Sequence, residues 1–195
     1  MKKVALVFPG VGYHCDKPLL YYAKKLAASY DFEIIEVSYK NIPAGLLKSE
    51  KLLFQAEDMV FDQARDFFSD FDFSPFSHIL FISKSIGTYA AVKVCEAFLK
   101  ESASQKSAHI LYTPLERTFS CNFQKAHVFA AGSDPWIKGN LVESFCKERN
   151  LPLDLYQNAN HSLEGGNVLE DLNVLHDVMQ KTAAFMQSFA LQGFV

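Results

Sequence analysis

Short apolar runs of strand character recur six times along this chain, each followed by a turn and a stretch patterned as a helix. The runs cover residues 4–8, 33–38, 78–82, 109–112, 127–131 and 153–156. Several are apolar almost throughout, where a strand with one wet face would alternate. That is the pattern of strands covered on both faces of a parallel sheet. Helical patterns fill the gaps. One lies near residues 17–29, with Pro18 at a favoured first-turn position. The stretch near 51–70 sets Leu53, Val60, Ala64 and Phe67 on one stripe, and 86–100 does so with Ile86, Ala90, Val94 and Phe98. A shorter one falls near 138–149. The last, near 168–190, repeats Val168, Leu172, Leu175, Met179, Thr182, Met186 and Phe189 at helical spacing. Alternating strands and helices with right-handed crossovers give an α/β three-layer sandwich, a mostly parallel sheet of about six strands with helices on both faces.

With 195 residues and neither an internal repeat nor a Pro/Gly/Ser linker, the chain reads as a single domain, 1–195. A domain of that size removes roughly 70% of its extended-chain surface from water, enough for a core without disulfide or metal staples. Cys15, Cys95, Cys121 and Cys146 lie far apart with no CxxC pair, so zinc-ribbon and thioredoxin-like spacings are missing. A formal charge of -3 offers no basic field for nucleic acid or an anionic membrane. No apolar stretch approaches the ~20 residues that cross a bilayer. Lys2 and Lys3 precede only residues 4–8 before Pro9-Gly10 breaks the run, which is not a secretory signal. The expectation is a cytoplasmic protein acting on a small molecule, with no nucleic-acid or membrane partner and no metal or other cofactor.

In a parallel α/β sheet, ligands bind beyond the carboxyl ends of the strands. His78, His109 and His127 each open a strand and fall at the opposite end, where they cap the sheet's lower edge, and His176 sits mid-helix in solvent. His14 and His161 follow strands. The third run ends Phe81-Ile82-Ser83-Lys84-Ser85-Ile86-Gly87 and passes straight into a helical pattern. Ser83-Lys84-Ser85-Ile86-Gly87 is a G-x-S-x-G pattern with Ser in the first small position. Between a strand and a helix, such a pentapeptide is a nucleophile elbow, a tight turn that lifts the central hydroxyl over the sheet. The fifth run ends Ala131-Gly132-Ser133-Asp134-Pro135-Trp136, where Asp134 alone would read equally as a turn or cap residue. The sixth ends Asn158-Ala159-Asn160-His161-Ser162, where a lone His is more often a turn residue than a catalyst. Together, Ser85, Asp134 and His161 follow in the order Ser, Asp, His, each at the carboxyl end of a separate strand.

On these residues the sequence resembles the α/β-hydrolase superfamily in a small, compact form, over nearly the whole chain. Residues 4–12 look like the strand leading to the oxyanion loop, residues 83–87 like the elbow, Gly132-Ser133-Asp134 like the acid loop, and Asn160-His161-Ser162 like the histidine loop. The resemblance implies a serine hydrolase that cleaves a small carboxylic ester, or a thioester or amide, through an acyl-serine. It implies Ser85 as nucleophile, His161 as base and Asp134 as its orienting acid, with an oxyanion hole from the amides of Val11 and Ile86. Pro9-Gly10 stands where many relatives carry His-Gly, which leaves Gly12 as the alternative to Val11. Lys84, just before the nucleophile, either favours an acidic substrate or is solvated beside the elbow. Residues 113–125 are too few for a domain-like lid, and Phe119 and Phe123 there either line an acyl pocket or pack in the core. A lidless site implies a shallow pocket for short acyl groups.

Two other classes stand beside this one. A non-catalytic binding protein could use the same fold. A nucleotide-binding domain is suggested by Gly10-Val11-Gly12 after the first strand, although Cys15 occupies the place of the third Gly in a dinucleotide fingerprint. Asp154 is the competing acid, but it lies inside the sixth strand.

Overall fold

The third apolar run becomes the middle of the structure. β3 (Phe76–Lys84) is buried along its whole length and lies between β1 (Lys2–Phe8) and β4 (Ser107–Tyr112). β2 (Phe32–Glu36) flanks β1, while β5 (Ala126–Ala131) and β6 (Leu153–Tyr156) extend the far side. The order is β2-β1-β3-β4-β5-β6, with every neighbouring pair parallel. This computed structural model describes residues 2–43, 45, 46, 49–99 and 106–193.

Side-chain alternation along the strands builds two cores. Ala5, Val7, Leu80, Ile82 and Ile110 face α1 (Pro18–Ser29) and α5 (Val168–Ala190). Val4, Leu6, Phe8, Ile79 and Phe81 face α2 (Glu50–Phe67) and α3 (Ile86–Phe98). Leu111, Val128 and Ala130 continue that side under α4 (Gly139–Glu148). A fully buried Val, Leu or Phe contributes about 1.5–3 kcal/mol, so this core needs no cross-links, and Cys15, Cys95, Cys121 and Cys146 are all free and buried. Among the described residues no helix is long and apolar enough to cross a membrane.

Two of the expected stripes are displaced. Phe67 is 51% exposed, and Phe68, just past the end of α2, turns inward to pack on Phe8. A step of four from Ala64 continues the buried row and a step of three leaves it. In the first turns of α5 Val168 and Leu172 are exposed, and the buried stripe starts at Val178 and runs through Thr182, Met186 and Phe189. The expected helix over 86–100 ends at Phe98, and residue 100 lies outside the described residues.

The chain leaves β1 toward β2 on one side, while β3 leads to β4 on the other, and Phe8 is in register with Ser83. Loops leaving such adjacent strand ends diverge and open a crevice at the topological switch point. Into it the start of α3 is pressed against the end of β1. A Cβ at Gly87 would stand 2.4 Å from the Pro9 carbonyl oxygen and 2.5 Å from that of Phe8. Both obstacles are backbone and cannot swing aside. Gly87→Ala is therefore expected to lower the unfolding free energy by about 3 kcal/mol or more. Gly193→Ala, with open space around it, should change it little. Urea denaturation of the two variants checks this.

Candidate active site

β3 ends at Lys84 and α3 begins at Ile86, so Ser85 alone makes the turn between them. Its backbone sits at φ 56, ψ -128, a region that costs a residue with a Cβ about 1–3 kcal/mol. Local bonds offset that strain. The Ser85 N–H donates to the Tyr112 carbonyl at 3.0 Å, and the Ser85 carbonyl accepts from Thr88 N at 2.9 Å and Thr88 Oγ1 at 2.6 Å. Thr88 Oγ1 also pairs with Thr118 Oγ1 at 2.7 Å, tying the elbow to the loop after β4.

The three post-strand residues meet. Ser85 Oγ lies 2.7 Å from His161 Nε2, and His161 Nδ1 lies 2.7 Å from Asp134 Oδ2. The other Asp134 oxygen, Oδ1, accepts the Trp136 N–H at 2.8 Å, and the carboxylate side chain is 1% exposed. An acceptor-only carboxylate at Nδ1 places the imidazole proton there, which leaves the Nε2 lone pair facing the serine hydroxyl. The acid and histidine loops are in close contact, since a Cβ at Gly132 would stand 2.4 Å from the Gln157 carbonyl oxygen. Within the histidine loop, Asn160 Oδ1 accepts the Ser162 N–H at 2.7 Å, a local turn that fixes the backbone on either side of His161.

The backbone of His161 is held from below as well. Its carbonyl accepts Lys84 Nζ at 2.8 Å and Thr113 Oγ1 at 3.0 Å. Lys84 has no solvent exposure, and its ammonium lies 5.0 Å from the centre of the Tyr13 ring. Loss of hydration pulls its pKa down to about 7, against the opposing charges of Asp134 and Glu164. His161 is also held below the usual histidine range. Burial is the main cause, the Asp134 hydrogen bond opposes it, and the Lys84 charge adds to it.

Ser85 and His161 open into a cavity of about 310 Å³ with mostly apolar walls, formed by Val11, Leu46, Leu53, Ile86, Leu115 and Trp136. The indole of Trp136 is 5.6 Å from the His161 ring. Val11 sits at the tip of a turn closed by Gly10 N–H to Tyr13 O at 3.1 Å and Tyr13 N–H to Gly10 O at 3.3 Å. Gly12 and His14 do not line this cavity. They face a neighbouring one of about 410 Å³ beside Asp16 and Glu36.

Several expectations are placed elsewhere. Lys84 is neither solvated nor at the cavity wall: its parity on β3 matches Leu80 and Ile82, so it points under the histidine loop on the α1/α5 side. Phe119 and Phe123 are core residues, the first stacked on Phe145 at 4.9 Å and the second against His109 at 5.6 Å, and neither lines the Ser85 cavity. Asp154 pairs with His127 at 2.8 Å and Lys181 at 2.7 Å, away from the site. His109 is enclosed at the lower end of β4, stacked 4.7 Å from Phe81, with burial pulling its pKa to about 3. Thr113, Trp136 and the cavity wall at Pro43, Gly45 and Leu46 had no sequence signal beyond their nearness to strand ends. Among the described residues no His, Cys, Asp and Glu side chains gather into a group that could hold a metal ion.

No protein-family model matches the sequence, and no curated protein matches it. Solved structures do match it in shape. A lidless α/β serine hydrolase from Xanthomonas campestris is 11% identical, with 98% of this chain and 84% of that one covered at a TM-score of 0.66. Est1E from Butyrivibrio proteoclasticus is 10% identical over 98% of this chain and 89% of that one, also at 0.66. An esterase from Pyrococcus furiosus is 10% identical over 96% and 83%, at 0.59. This chain has the α/β-hydrolase fold.

Lys84 and His161 give a direct check on the site's electrostatics. In wild type, the His161 ring protons should titrate in NMR below the usual histidine value of ~6.5. Replacing the ammonium with an apolar chain of similar length, Lys84→Met, removes a positive charge and should move that titration upward. A downward shift would mean that the Lys84 amine is not charged beside His161.

Proposed function

We propose that this protein is a serine hydrolase that cleaves small carboxylic esters through an acyl-serine intermediate. The observation that carries the proposal is the unbroken chain Ser85 Oγ–His161 Nε2 and His161 Nδ1–Asp134 Oδ2, 2.7 Å at each link, at the mouth of an apolar cavity. A serine hydroxyl is a weak nucleophile until a base takes its proton during attack. Here Ser85 Oγ bonds to the ester carbonyl carbon as its proton passes to His161 Nε2. Asp134 holds the imidazole orientation and stabilises the imidazolium. The oxygen that gains charge is received by the amides of Val11 and Ile86. Each such donor lowers the barrier by about 3–4 kcal/mol. The C–O bond to the leaving alcohol then breaks as His161 returns the proton to it. Water, deprotonated by the same nitrogen, repeats the attack on the acyl-serine, releases the acid and restores Ser85. The reaction uses no cofactor.

Thioesters and amides would place a carbonyl at the same point, so esters serve as the test substrates. The nucleotide reading has less support. The Gly10–Tyr13 turn closes on itself and α1 begins only at Pro18, behind Lys17 as its cap, so no helix N-terminus follows directly on Gly10-Val11-Gly12. A non-catalytic role on the same fold is tested by the same assay.

Ser85→Ala should lower kcat for p-nitrophenyl butyrate by about 10⁴-fold or more, while Ser83→Ala, whose hydroxyl is spent on the Ile110 carbonyl, should remain active. The reverse result would mean that the elbow is misread. The pH dependence has a definite sign. Only neutral imidazole accepts a proton, so kcat falls as pH drops through the His161 pKa. Because that value is depressed, the midpoint should lie below ~6.5. Acyl length is the third check. With each buried methylene worth about 0.8 kcal/mol only while the wall can cover it, acetyl to butyryl esters should exceed decanoyl esters in kcat/KM. A steady rise to twelve carbons would contradict the short-acyl assignment.

A further inference from the structure

The end of β4 holds both partners of the Ser85–His161 pair through consecutive residues. The Tyr112 carbonyl accepts the Ser85 N–H at 3.0 Å, and Thr113 Oγ1 donates to the His161 carbonyl at 3.0 Å. Thr113 is itself tied to the sheet, because its N–H donates to the Phe129 carbonyl at 2.7 Å. It is 1% exposed and forms no part of the Ser85 cavity wall. Whatever its side chain contributes to the site passes through His161.

The backbone of Thr113 is strained. It has φ 42, and a β-branched residue at positive φ is an outlier. Six non-glycine residues among those described have positive φ. Asp31, Asn41 and Asn150 are of the types that tolerate it. The other three, Ser85, Thr113 and Leu163, lie in the connections that leave the carboxyl ends of β3, β4 and β6. Such strain persists only where surrounding contacts hold it, and it gathers at active sites.

Geometry gives this turn a task. Tyr112 packs with Ile110 on the α1/α5 side, and it is in register with Lys84. Strand alternation would send the next side chain to the opposite face of the sheet. With the turn at φ 42, the Thr113 hydroxyl meets the same carbonyl that Lys84 reaches. Both acceptor positions of the His161 oxygen are then filled. Space filling alone does not call for a hydroxyl here, since valine has nearly the same shape.

We propose that Thr113 is a positioning residue of the Ser85 site, whose hydroxyl, carried by a strained turn, fixes the His161 backbone so that Nε2 stays within reach of Ser85 Oγ. The proposal rests on Ser85 as the nucleophile.

The test is hydrolysis of p-nitrophenyl butyrate, with kcat expressed per site titrated to completion by a fluorophosphonate, so that unfolded protein is not counted. In the titration an Oγ–P bond forms at Ser85, fluoride leaves and the serine proton goes to His161. Thr113→Val removes the hydroxyl and keeps the branched shape, while Thr113→Gly removes it and relaxes the backbone. Each should lower kcat per site about tenfold. Acylation and deacylation use the same imidazole, so they should slow together and leave KM within about twofold of wild type. Thr113→Ser keeps the hydroxyl and should recover most of the rate. Because the valine and glycine variants both lack the hydroxyl, either one tests the proposal if the other does not fold. A purely structural residue would lower the number of titratable sites and leave kcat per site unchanged, and that result would overturn the proposal. So would a loss in Thr113→Ser equal to that in Thr113→Val. Either result leaves Ser85 in place, whereas a wild-type protein that neither hydrolyses the ester nor takes the label would overturn both claims.

Discussion

Ser85 is the only residue between the central strand and the helix that follows it, and the site depends on the turn this residue is forced to make. A longer loop would let the chain relax and carry the hydroxyl away from the strand ends. With one residue, the backbone must adopt φ 56, and the side chain has nowhere to go but over the sheet edge. The strain is held by the surrounding structure: Tyr112 and Thr88 fix the peptide groups of Ser85, and Gly87 lets α3 start against the end of β1. The same contact brings the turn at Val11 beside Ser85, so one constraint sets both the Ser85 side chain and the wall that faces it.

The second constraint is electrostatic. Asp134 orients the ring of His161, while Lys84 and Thr113 anchor its backbone carbonyl. An ammonium with no solvent exposure is expensive to keep, and an apolar side chain of that length would pack there at lower cost. Its hydrogen bond to the His161 carbonyl gives a reason for keeping it. Lys84 anchors the histidine backbone, and its charge adds to the burial that lowers the pKa of His161. Stability and proton affinity are therefore exchanged against each other at a single buried amine.

The parts of this molecule that were legible in the sequence are those set by local pattern. Six apolar runs became six parallel strands, and Ser85, Asp134 and His161 were marked by their places just beyond three of them. What was not legible depends on direction or on distance along the chain. β3 is buried on both faces, so its pattern shows no wet side from which to read where Lys84 points. Phe119 and Phe123 have the composition of a pocket and of a core alike, and only the position of α4 decides for the core. The cavity wall at Leu46, Leu53 and Leu115 comes from three separate segments, and Arg117 reaches Glu57 across 60 residues of chain. No window of sequence contains such a pair.

The central claim is that Ser85 is a nucleophile activated by His161, and covalent capture tests it most directly. A simple fluorophosphonate incubated with the folded protein, followed by digestion and mass mapping, should place one adduct on Ser85. Labelling should be lost in His161→Ala, because without the base the hydroxyl is an ordinary alcohol. An adduct on Ser83, or undiminished labelling of Ser85 without His161, would contradict the account.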